Sequence, residues 1–73
     1  MKTVDVRDAL LEILNRTAAS TQVRVGAAKG LSYIGDVKSL FALRDILNAP
    51  QEDDELRAAV AEALGKSCEK TAL

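Results

Sequence analysis

Apolar residues fall into four amphipathic stretches at three- and four-residue spacings, the signature of helices with one buried face. In the first, Val6, Leu10, Ile13, Leu14 and Thr17 share a face and predict a helix from about Val4 to Arg16, with Thr3 or Asp5 as its cap. The run Thr17-Ala-Ala-Ser-Thr21 predicts a turn, with Ser20 or Thr21 capping a second helix from about Gln22 to Ile34. Its expected inner face is Val23, Ala27, Leu31 and Ile34, flanked by Ala28. Gly35 supplies a left-handed exit and Asp36 a cap, so a third helix is expected from Val37 to Asn48. It presents Val37, Leu40, Leu43 and Leu47, with Phe41 expected beside them in the core.

Pro50 and the acidic run Gln51-Glu-Asp-Asp-Glu55 interrupt that periodicity. Asp53 or Asp54 then caps a fourth helix beginning near Glu55, where acids suit the positive helix end. Leu56, Val60 and Leu64 follow at four-residue steps, and the helix is expected to fray after Gly65. Ser67 to Leu73 could extend it on a weaker signal.

Residues 9–31 align with 42–64 without a gap, at a spacing of 33, and share eight identities. These are Ala9/Ala42, Leu10/Leu43, Ile13/Ile46, Leu14/Leu47, Asn15/Asn48, Arg24/Arg57, Ala28/Ala61 and Leu31/Leu64. An apolar face alone does not explain the matching asparagines and arginines. A two-helix unit at such a period is how a stacked solenoid reads. The expectation is one all-α domain over 1–73, with a first repeat at about 4–35 and a second at about 36–69. Gly26, Ala27, Ala28 and Gly30 in the second helix, and Ala58, Ala59, Ala61 and Ala63 in the fourth, leave little side-chain bulk around the backbone. Each interior glycine costs up to about 1 kcal/mol relative to alanine, and close helix approach is one reason to accept it.

Composition narrows the function classes. The chain of 73 residues has 10 basic and 11 acidic side chains, a net charge of -1, which argues against a strong polyanion binder. The sparse patch of Arg24, Lys29 and Arg57 does little to change that. One cysteine rules out an internal disulfide, and no apolar run reaches membrane-spanning length. A cytoplasmic protein of a reducing compartment is therefore expected.

The segment Val23-Arg-Val-Gly-Ala-Ala-Lys-Gly-Leu-Ser-Tyr-Ile-Gly-Asp36 resembles the second helix and exit of a HEAT-like repeat of the phycobilisome (PBS) lyase type. Leu56-Arg-Ala-Ala-Val-Ala-Glu-Ala-Leu-Gly65 is similar to the same segment. The resemblance implies two stacked HEAT-like helical hairpins, a short right-handed α-solenoid. It also implies a small scaffold or adaptor for protein–protein interaction, or an accessory, chaperone-like subunit related to bilin lyases or phycobilisome turnover. Asn15 and Asn48 stand where that family often has an aspartate, which would weaken the usual pairing with the arginine. The connection from Ala49 to Glu55 is longer than the family's usual turn, and Lys66-Ser-Cys-Glu69 lacks the Ile-Gly-Asp ending.

Candidate interaction or repeat-defining residues are Arg24, Arg57, Tyr33, Leu11 and Lys29. Each arginine either bonds helix-end carbonyls through its donor fork or grips an acidic partner, and regular recurrence favours the structural role. Tyr33 suits a recognition anchor or packing against a loop. Leu11, apolar where Arg44 is charged, suggests a first unit that hides an extra face against another chain. The acids Glu52 to Glu55 lack metal-loop spacing, and no histidine exists to activate Cys68. No catalytic residue, metal or cofactor is expected. With both ends of the stack uncovered, another protein or a second copy, giving a homodimer, is the expected partner.

Overall fold

The computed structural model describes residues 1–70, with side chains through residue 68. Helices α1 (Thr3–Leu14), α2 (Thr21–Ile34), α3 (Val37–Leu47) and α4 (Asp54–Lys70) form two antiparallel hairpins stacked side by side. The architecture is all-α, as the periodicity predicts, and Thr71–Leu73 of the expected fourth-helix extension lie outside the described residues.

Caps account for the helix starts. Ser20 Oγ accepts from the Val23 N–H at 3.2 Å, and Asp36 Oδ1 accepts from the Ser39 N–H at 3.0 Å. Asp53 Oδ1 accepts from the Glu55 N–H at 2.8 Å ahead of α4. Neither Thr3 nor Asp5 caps α1: the capping position is Lys2, which makes no side-chain cap bond. Gly35, at φ 66°, provides the left-handed exit of α2, and its N–H donates to the Leu31 carbonyl. A side chain there would be strained, so the chain can turn sharply into α3 only with glycine at this position.

One apolar core lies between the hairpins. Leu14, Ala28, Leu31, Leu43, Leu56 and Val60 are fully buried, with Ala27, Ile46 and Ala63 nearly so. Several expected core positions face out instead. Val23, Val37 and Phe41 are exposed, Val6 is at the boundary, and Thr17 lies exposed in the turn. On α3 the buried stripe is Ser39, Leu43 and Ile46, which turns Val37, Phe41 and Arg44 to the opposite side. There the Arg44 guanidinium covers the Phe41 ring at 4.7 Å, a cation–π contact that shields one ring face without burying it. On α2 the buried stripe is rotated toward Arg24, Ala27, Ala28, Leu31 and Ser32.

The two layers pack unequally. Helix α2 lies along α4, whereas α1 and α3 meet over only a few residues. Small side chains on α2 and α4 suit this more extensive contact. Glycine contributes to packing at only one of the two expected positions. A Cβ at Gly30 would lie 2.9 Å from Leu10 Cδ1, marking close approach of α1, while a Cβ at Gly26 would meet nothing within 4 Å.

Helix α4 does not end at Gly65. Gly65 does not take the left-handed conformation by which Gly35 leaves α2, and the helix continues through it. Beyond it, the Ser67 hydroxyl donates to the Ser32 carbonyl at 3.1 Å, tying the extra helical turn to the end of α2. That buried bond draws the helix past its sequence-predicted end.

Candidate functional site

Arg24, in the first turn of α2, is buried between the two hairpins. Its Nε donates to the Leu14 carbonyl at the end of α1, at 2.8 Å. The other arm of the guanidinium reaches into the next unit, where Nη1 and Nη2 donate to Glu52 Oε1 and Oε2, each at 2.9 Å. A two-pronged arginine–carboxylate pair of this kind fixes orientation as well as adding energy. Arg24 thus fastens helix to helix within its own unit and unit to unit across the stack. It is not available to the basic patch suggested by the sequence.

Arg57 repeats only half of this arrangement. Its Nε donates to the Leu47 carbonyl at 3.1 Å, the same bond one repeat later. Its nearest acid is Asp54, at 3.7 Å, on a side chain 98% exposed. The Arg57 side chain is 34% exposed against 7% for Arg24.

Glu52 is the partner that sequence reasoning misses, since it lies among four consecutive acids whose evident role is to suit the positive end of the fourth helix. A signal was present. Asn15 leaves Arg24 without a carboxylate in its own turn, and the lengthened connection before α4 carries one within reach of the facing unit. The same loop makes a further tie, from Thr21 Oγ1 to Asp53 Oδ2 at 3.2 Å.

A second cross-unit pair joins α1 to the start of α3, with Arg7 Nη1 donating to Asp36 Oδ2 at 2.8 Å. The Asp36 carboxyl is pulled down to about 2, first by Ser39, whose side chain lies beside it and whose N–H donates to it, then by Arg7. Ser39 Oγ is itself buried without a hydrogen bond of good geometry. Glu52 is also held below its usual value, chiefly by the Arg24 guanidinium.

Both shifts are downward, so the stability they bring is present above the ordinary carboxylate values of 3.8 and 4.5 and lost as pH falls through the folded values. The thermal midpoint should hold steady down to about pH 5 and then drop progressively toward about pH 2. Circular dichroism melts across that range test this, with an Asp36→Asn, Glu52→Gln double variant expected to show a shallower fall.

The remaining sequence candidates separate. Leu11 is half-buried, packed in part against the core of its own chain. Tyr33, 77% exposed, and Lys29 line a groove of about 370 Å³ between α2 and α4. Its floor includes Ser32, Ala59 and Ala63, and Lys66 and Glu62 border it from α4. Cys68 is exposed and lies outside this lining. Among the described residues, no set of three acidic, histidine or cysteine side chains could hold a metal ion. No helix among them is long and apolar enough to cross a membrane.

A family model for HEAT repeats matches residues 5–73. No curated protein and no solved structure matches the chain.

Proposed function

Because the chain belongs to the HEAT-repeat family, we propose that it is a protein-interaction adaptor that holds an acidic partner segment in the groove between α2 and α4. HEAT repeats commonly act as interaction scaffolds, and the groove supports this use here. Lys29 on one wall and Lys66 on the other offer two cations about a floor of small residues. Tyr33 adds a large amphipathic ring that loses little conformational freedom on binding. Small floor residues leave room for an apolar side chain, while the lysines favour carboxylates beside it. Glu62, on the same rim, disfavours a uniformly acidic stretch and gives the groove a direction.

The observation that carries this reading is the exposure of Tyr33 within a lysine-flanked concavity. Selection from a displayed library of helical peptides tests it. Enriched peptides should carry Asp or Glu on both sides of an apolar residue. Their binding should weaken at least tenfold in Lys29→Glu and in Tyr33→Ala, with circular dichroism melts verifying that each variant remains folded. Peptides without acids, or binding indifferent to both substitutions, would remove the groove as the site.

A further inference from the structure

Among the described residues, the face of the second hairpin turned away from the first repeats a surface that the first hairpin buries. In the first unit, the second unit covers Leu14, Arg24, Ala28 and Leu31, leaving each 5% exposed or less. One repeat later the residues are identical, Leu47, Arg57, Ala61 and Leu64, yet none of the four is buried. Half of the eight repeat identities therefore fall on this one stacking surface. Arg57 keeps the bond to its own outer helix, but among the described residues the carboxylate that reaches its fork is the exposed Asp54 at 3.7 Å, with no two-pronged pair like that of Glu52.

We propose that this surface is a socket for a helical hairpin of another protein, one that carries a carboxylate in its inter-helix loop where Glu52 stands here. The interface would continue the existing one, using the same four residue types in the same register. Charge complementarity sets the second requirement, since covering Arg57 would take its guanidinium from water with only the long contact to exposed Asp54 to offset the charge.

That requirement also argues against a second copy stacking head to tail. The opposite end of the chain offers an apolar surface, including the exposed Val6 and Val23. The residue one repeat before Glu52, however, is Ala19, and the loop from Arg16 to Ser20 contains no acid. A second copy would bring the apolar contact without the counter-charge. The alanine thus works against open-ended self-assembly while leaving the socket usable by an acidic hairpin. This surface is distinct from the α2–α4 groove, so substitutions at Lys29 and Tyr33 leave it untouched and the two readings can fail separately.

The test gives a second copy the missing acid. A probe chain carrying Ala19→Glu, with Arg57→Gln to blunt its own socket, is mixed with the unaltered chain and followed by sedimentation velocity across a concentration series. A one-to-one complex is expected, weakened at least tenfold when the unaltered chain is replaced by Arg57→Gln, and absent with an Ala19→Gln probe. Circular dichroism melts verify that each variant is folded, and Ala19→Asp serves as the probe if Ala19→Glu is not. Failure of the folded acidic probe to bind would overturn the proposal, as would binding indifferent to Arg57→Gln. Equally tight association of the unaltered chain with itself through this surface would make a second copy the occupant and overturn it too.

Discussion

Arg24→Ala is expected to cost about 3 kcal/mol, against less than about 1 kcal/mol for Arg57→Ala at the equivalent position. Removing the Arg24 guanidinium leaves Glu52 as a largely buried carboxylate with no counter-charge, and the Leu14 carbonyl loses its donor. Breaking such a pair from one side costs far more than the pair contributes over an apolar replacement. At Arg57, water already reaches the guanidinium and the only ion pair is long and exposed, leaving chiefly the Leu47 carbonyl bond to lose. A domain this small has a total stability of about 5 kcal/mol, so Arg24→Ala should keep only about 2 kcal/mol and leave a few per cent of molecules unfolded. Urea titrations followed by circular dichroism would measure both. Adding Glu52→Gln to Arg24→Ala should relieve part of the cost, because it neutralises the stranded charge. Equal costs for the two arginines would mean that Glu52 does not hold Arg24 in solution.

Leu31→Ala and Leu64→Ala form the second matched pair. Leu31 is fully buried between the hairpins, and its truncation should cost about 3 kcal/mol through lost burial and the cavity left behind. Leu64 packs against the edge of the core but remains half-exposed, so its neighbours can close over a truncation and about 1 kcal/mol is expected. On a domain of this size, that difference separates the two thermal midpoints by roughly 10 °C. Midpoints measured at several protein concentrations give a further reading. A Leu64→Ala cost that grows with concentration would show that another copy covers this face.

The helices were legible because each carries a 3.6-residue apolar pattern and because Gly35-Asp36 joins a left-handed exit to a cap. Stacking was legible from the 33-residue spacing of residues such as Leu14 and Leu47. The buried stripe was less so. On α3, Leu43 can be grouped with Leu40 and Leu47 or with Ser39 and Ile46, and both groups satisfy helical spacing. Choosing the first placed Phe41 and Val37 inward, whereas docking against α4 and α2 selected the second. The same rotation put Arg24 rather than Val23 into the interface of α2. Tyr33 and Lys29 could be singled out by residue type, but their meeting with Lys66 across one groove depends on how α2 lies along α4.

By itself, then, the sequence determined four helices, the cap at Asp36, and a hairpin unit used twice. Those features depend on interactions within a few residues or on a pattern repeated in register, and both survive in a one-dimensional reading. Tertiary structure alone decided that Arg24 meets Glu52, that α4 runs past Gly65 to seat Ser67 beneath the end of α2, and that identical residues are buried in one unit and open in the next. These depend on which surfaces have a neighbour. A repeated residue carries the same chemistry at both positions, but its burial, and with it most of its energetic weight, comes from the unit stacked upon it.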